Sequence, residues 1–265
     1  LTSSILFCEV RVKPHRGVFT VALIGPDGAG KSTISRKVVE MLDIPAKYLY
    51  MGVNLEASNL MLPTTRLALE LKRMRGDRPD AISPTAARAK RRSMRGVRGL
   101  IYQFRAVFRL MNWIAEEWFR QIVAWIYQLR GYVVVFDRHF FPDYYASDIA
   151  DGDPDRPFTS KVHGWILKNL YPRPDMMIML DAPAEVLHAR KREGTIESLE
   201  QRRQDYLEMR HHIDHFAIVS TEQPQEDAAR EVAEIISRFA AGVKDERILA
   251  RPVAPSVTQT GQQDT

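Results

Sequence analysis

The chain has a single cysteine, Cys8, so no internal disulfide can form, and no Cys/His pairs carry the spacing of structural zinc. No run reaches eighteen apolar residues, which argues against a membrane-spanning helix. Leu1 to Val10 lack the basic start, long apolar middle and small-residue cleavage site of a signal peptide. These absences predict a cytoplasmic protein that folds without oxidation and does not engage a membrane. Glycine and proline number only 14 and 15 in 265 residues, which excludes collagen-like and mucin-like chains. There is no internal repeat and no Asn-Lys-x-Asp segment of the kind that reads guanine. What is present is 45% hydrophobic and 27% charged, the composition of a globular protein with a sizeable core. A formal net charge of +5 favours anionic ligands, a bias shared by phosphate-handling enzymes and nucleic-acid binders.

Val18 to Ile24 is an apolar, β-branched run ending at Gly25, the signature of a strand buried on both faces. Further strands are predicted at Lys47–Met51, Tyr132–Asp137, Met176–Leu180 and His215–Ser220. Helical patterns fill the gaps at Ser32–Leu42, Leu100–Leu129, Thr159–Asn169, Ala184–Arg210 and Glu226–Ala241. Strands alternating with helices predict an α/β fold, a three-layer sandwich around a parallel sheet. The expected organisation is an N-terminal extension over residues 1–17, one domain over 18–245 with a basic helical insertion at about 55–110, and a disordered tail over 246–265. Between Ala81 and Ala115 the insertion holds seven arginines, one lysine and no acid, which suits a solvated loop and helix or an anion-facing lid. Trp113, Trp118, Trp125, Phe104, Phe108 and Phe119 at helical spacing are expected to be mostly core. His211, His212, Asp214 and His215 have a metal-like spacing but no further ligand, and no transition metal is assigned.

Gly25-Pro26-Asp27-Gly28-Ala29-Gly30-Lys31-Ser32-Thr33 follows the first strand and opens the first helix. In that context the glycines let the backbone wrap so that successive N–H groups and the helix N-terminus face the phosphates of a nucleotide. Lys31 is expected on the β and γ phosphates and the Ser32 hydroxyl on Mg²⁺. Tyr132 to Asp137 is an apolar strand ending in an acid placed to hold the Mg²⁺ shell. Arg138, next in sequence, can clamp a planar anionic group through two hydrogen bonds.

Together with Asp137-Arg138-His139, Pro174-Asp175 before the fourth strand, and Arg190 through Tyr206, the loop resembles the thymidylate kinase family of P-loop nucleotide kinases over roughly residues 18–240. The resemblance implies a five-stranded parallel sheet in the order 2-3-1-4-5, ATP and Mg²⁺ as cofactors, and transfer of the γ-phosphate to a nucleoside monophosphate. It implies that Gly25 to Thr33 hold the donor, that Ser32 and Asp137 hold the metal, and that Arg138 grips the acceptor with Asp27 facing it. Gly28 stands where some members carry an arginine, so Arg190 and Arg192 of the lid become the candidates to bridge donor and acceptor. Arg66 and Arg120 are held in reserve for the acceptor phosphate. Homodimers are common in the family.

The departures bear on the acceptor. Tyr50-Met51-Gly52-Val53-Asn54 replaces the family's Arg-Glu-Pro, Phe140 to Tyr145 replaces its serine and Ala-Tyr-Gln segment, and Glu116 stands at its helix arginine. They argue against thymidine monophosphate. A phosphate acceptor is already ionised near pH 7 and needs no base, whereas a sugar or nucleoside hydroxyl would need Asp27 or Asp137 to take its proton. The alternatives are therefore a kinase of a non-nucleotide small molecule, such as a sugar or sugar phosphate, and a nucleic-acid-associated ATPase using Arg88 to Arg109.

Overall fold

A computed structural model describes residues 17–52, 60–74, 97–150, 156–192, 194–242 and 247–250. The apolar runs become strands β1 (Thr20–Ile24), β2 (Ala46–Tyr50), β3 (Val133–Asp137), β4 (Met176–Asp181) and β5 (His215–Ser220). β1 and β3 are buried along their whole length, as strands covered on both faces must be. The five run parallel in the order β2-β3-β1-β4-β5, as expected.

A sixth strand was not expected. Leu249–Ala250 (β6) falls in the stretch read as disordered tail, yet it pairs antiparallel with His215 and Phe216 of β5. The outer edge of β5 offers unpaired backbone groups, and neighbouring Ile248 packs on the core, so the returning chain satisfies both. Residues 251–265, the extension over 1–16, and residues 55–59 and 75–96 of the basic insertion lie outside the described residues.

The helices are α1 (Lys31–Met41), α2 (Pro63–Met74), α3 (Val97–Leu129), α4 (Phe140–Asp143), α5 (Phe158–Asn169), α6 (Ala184–Lys191), α7 (Ile196–Leu207) and α8 (Gln225–Ala240). A π-turn spans Tyr145–Ile149. Because alternate strand residues point to opposite faces, Val21 and Leu23 join Ile34 and Val38 of α1 and Val232 and Ile236 of α8 in one core. Ala22 and Ile24 join Ala124 of α3 and Leu167 of α5 in the other. Helices thus cover both sheet faces. Among the described residues no helix is long and apolar enough to cross a membrane.

Two expectations are corrected here. Ala184–Arg210 is not one helix. Arg192 adopts a left-handed conformation (φ 46°) that ends α6, and Thr195 starts α7 with a capping box in which its hydroxyl accepts the Ser198 N–H while the Ser198 hydroxyl accepts the Thr195 N–H. The aromatic stripe of α3 is also less buried than expected, since Phe104 and Phe108 are 75% and 62% exposed. Trp118 is partly buried and packs against the second core, edge-on to Trp125 and Tyr171.

Candidate active site

Parallel pairing sets Leu23 of β1 beside Asp137 of β3, so the loop after β1 and the Asp137-Arg138 pair emerge side by side at the C-terminal end of the sheet. The Arg138 N–H still donates to Leu23 O at 3.1 Å, which continues the ladder one residue past the strand. The connection after β1 runs to β2 and the one after β3 runs to β4, in opposite directions across the sheet, which makes this the usual place for a ligand crevice in an open α/β sheet.

The loop is compressed between neighbours that leave no room for side chains. A Cβ on Gly25 (φ 145°) would lie 2.4 Å from Leu180 O of β4, and one on Gly28 (φ 93°) would lie 2.7 Å from Leu187 O of α6. Glycine is therefore required at both positions, and the second contact seats α6 directly on the loop. α1 begins at Lys31 with no side-chain cap and no acid in its first turn, so its leading N–H groups are left for an anion. Ser32 and Thr33 are accessible on this first turn, and Ala29 is buried beneath it.

Lys31 is buried, and its ammonium donates to Gly25 O at 2.6 Å and Pro26 O at 2.7 Å. Burial, reinforced by the nearby Arg138 charge, lowers its pKa to about 7 against the pull of Asp27, Asp143 and Asp137. Asp27 is the meeting point of three cations from three elements. Its Oδ1 accepts from Arg138 Nη2 at 2.7 Å, its Oδ2 from Arg202 Nη1 of α7 at 3.2 Å, and Lys191 Nζ of α6 lies 4.0 Å away. Burial alone would raise the Asp27 pKa, but Arg138 and Lys31 outweigh it and hold the carboxyl well below its ordinary range.

Arg138 has φ 71°, a left-handed conformation that costs a side-chain-bearing residue about 1–2 kcal/mol. Strain of this kind concentrates at functional sites. Asp143 of α4 adds its charge to that of Asp27 around the guanidinium and accepts the Tyr206 hydroxyl of α7 at 2.8 Å. Asp137 is fully buried. Its Oδ2 accepts from the Tyr48 hydroxyl at 2.8 Å, and its Oδ1 has no hydrogen-bond partner among the described residues. A buried carboxylate oxygen without a donor, with a hydroxyl on the first turn of α1, is a donor set that suits a hard cation with a largely aqueous and phosphate shell. The residues thus fit Mg²⁺.

The other arginines expected at the site are placed elsewhere. Arg190 donates to Thr221 O at 2.7 Å and Thr221 Oγ1 at 3.3 Å, beyond β5 rather than at Asp27. Arg192 is exposed at the end of α6. Arg66 is 71% exposed on α2 and paired with Glu70 at 3.2 Å. Arg120 is fully buried, bonds Glu116 at 2.9 and 3.1 Å, and donates to Tyr50 O and Gly52 O, so it ties α3 to the end of β2.

Sequence reasoning missed Lys191 and Arg202, the cations of α6 and α7 that reach Asp27, together with Asp143, Tyr206 and Tyr48. The Lys191–Arg192 and Arg202–Arg203 doublets were visible. Which member of each faces the loop depends on where α6 ends and α7 restarts. Arg203, one position from Arg202, turns back instead and donates two hydrogen bonds to the Asp181 carboxylate, Nε to Oδ1 at 2.6 Å and Nη2 to Oδ2 at 2.8 Å. His211, His212 and His215 form no metal-binding group with acids among the described residues. No known protein-family model matches the chain, and no curated protein matches it.

Proposed function

We propose that the chain is an ATP- and Mg²⁺-dependent phosphotransferase of the P-loop, thymidylate kinase-like type, which transfers the γ-phosphate to a nucleoside monophosphate. The observation that carries the reading is the convergence of Arg138, Lys191 and Arg202 on Asp27, beside a glycine-rich loop and an uncapped helix N-terminus. Three cations around one carboxylate leave an excess of positive charge where an acceptor phosphate and a transferring phosphoryl group would meet.

In this reading the loop amides and Lys31 hold the donor phosphates, and Ser32 and Asp137 would hold Mg²⁺, which supplies charge neutralisation on the phosphate oxygens. Arg138 grips the acceptor phosphate, with Asp27 orienting its guanidinium. An ionised oxygen of the acceptor forms the new bond to the γ phosphorus as the bond to the bridging oxygen breaks, and ADP leaves with the electron pair. No general base is required, because the acceptor has already lost its proton near pH 7. Lys191 and Arg202 meet the charge that spreads over the transferred group.

One observation favours a second reading, a hydroxyl acceptor. Arg66 and Arg120 are engaged by Glu70 and Glu116 instead of being held for a phosphate. The deciding experiment measures ADP formation with nucleoside monophosphates, nucleosides and sugars, for the parent and Lys31→Met. Turnover with a monophosphate that falls about a hundredfold or more in Lys31→Met supports the first reading. Turnover with hydroxyl acceptors alone supports the second, and no magnesium-dependent affinity for ATP overturns both.

A further inference from the structure

The two oxygens of Asp137 are held differently, and the sheet register explains how. Tyr48 pairs with Val135 and Tyr50 pairs with Asp137, so Tyr48 lies one step along β2 on the same sheet face as the carboxylate. Its ring is long enough to span that diagonal, and its hydroxyl occupies Oδ2 at 2.8 Å while Oδ1 is buried and has no hydrogen-bond partner among the described residues. The ring is itself held. The guanidinium carbon of Arg36 stands 5.3 Å from its centroid, a cation–π contact from α1. Arg36 is one helical turn after Ser32, so the helix that presents the hydroxyl also braces the tyrosine that fixes the carboxylate.

We infer that Tyr48 is a positioning residue for Mg²⁺: by taking Oδ2 it locks the Asp137 carboxylate and leaves Oδ1 as the oxygen offered to the ion or its water. The inference rests on the nucleotide reading of the loop. Arg36, Tyr48 and Asp137 form a continuous brace that couples α1 to β3 and sets Ser32 and Asp137 in fixed relation. A carboxylate free to rotate would present either oxygen, and partners that orient a metal ligand typically cost about 10–100-fold in metal affinity when removed.

The test is calorimetric ADP binding to the full chain, first in EDTA and then across a Mg²⁺ titration. Tyr48→Phe is expected to bind ADP in EDTA as the parent does, with its Mg²⁺ half-saturation raised about tenfold. Asp137→Asn raises it at least as far, and adding Tyr48→Phe to Asp137→Asn changes nothing more, a coupling that a merely structural tyrosine would not produce. A parent-like Mg²⁺ half-saturation in Tyr48→Phe, or effects that simply add in the double variant, overturns the inference alone. A parent whose ADP affinity does not respond to Mg²⁺ overturns the nucleotide reading and the inference with it. Should Tyr48→Phe fail to fold, Arg36→Met is read in the same titration, where a shift of about twofold or more is expected and none overturns the brace.

Discussion

Lys31 shows how burial and chemistry meet at a single residue. Its pKa of about 7 means that the folded protein leaves the amine largely neutral at pH 8, whereas a bound polyphosphate would recharge it. ATP binding at pH 8 is therefore expected to take up a proton, seen as a dependence of calorimetric heat on buffer ionisation enthalpy that fades by pH 6 and vanishes in Lys31→Met. The same shift has a sign for stability. Between pH 7 and the ordinary lysine value of 10.5 the unfolded chain binds the extra proton, so this group makes the ligand-free protein more stable as pH rises across that window. Arg202 separates activity from stability in another way. Its side chain is 54% exposed, and an ion pair of that kind is worth about 0–1 kcal/mol. Arg202→Ala should thus leave the melting temperature nearly unchanged while lowering turnover by about tenfold or more, as loss of a charge-stabilising contact in the transition state does. Equal losses in both measurements would assign it a structural role instead.

At the scale of elements, β1, β3 and β4 were legible because a strand buried on both faces is a continuous apolar run, and all five strands formed within two residues of their predicted spans. The break between α6 and α7 did not show in the periodicity, which reads Ala184–Arg210 as one helical pattern, although the family resemblance separates Ala189–Glu193 from the helix at Glu200–Tyr206. The signal that could have found the break is Thr195 three residues before Ser198, a cap immediately ahead of α7. The cap positions Arg202 and Arg203, so Thr195→Ala should destabilise α7 by about 1 kcal/mol. Arg203 remains clamped to Asp181, which keeps the far half of α7 in place. The expected signature is faster hydrogen exchange confined to the first turns of α7, with global denaturation shifted by less than a comparable core mutation would shift it.

Across the whole molecule, a buried imidazole joins three separate elements of the second core. His163 of α5 lies 2.9 Å from Glu117 Oε1 of α3 and 2.6 Å from Asp148 Oδ2 of the π-turn, under the rings of Trp113 and Tyr144. Burial alone would lower its pKa, but the hydrogen bonds to Asp148 and Glu117 raise it to about 9. A raised histidine pKa gives stability that is present in full below about 6.5 and is lost as pH climbs through 9. His163→Gln should accordingly cost a few kcal/mol at pH 6 and much less at pH 9.5, read by urea denaturation at the two values. A penalty that does not vary with pH would mean that the ring is neutral and merely packs. This linkage also anchors the segment downstream of Arg138, so stability and the placement of Asp143 share a support.

The order 2-3-1-4-5 was implied only by the family resemblance, whereas the sequence by itself determined the local parts: the glycine-rich loop with Lys31 and Ser32, the apolar strands, and the acid and arginine at the end of β3. These follow from composition and spacing over stretches of about ten residues, where chain geometry fixes which groups are neighbours. Only the tertiary structure decided that Arg138, Lys191 and Arg202 converge on Asp27 while Arg190 turns to Thr221 and Arg120 is enclosed with Glu116. Each of those choices depends on where a helix ends and how its face is rotated, and a change of one residue along α6 or α7 swings a side chain by about 100°. The same is true of Tyr48, whose partner lies 89 positions away and is chosen by strand register. Charge and residue type are written locally, but their meeting requires the sheet to bring distant segments to one end.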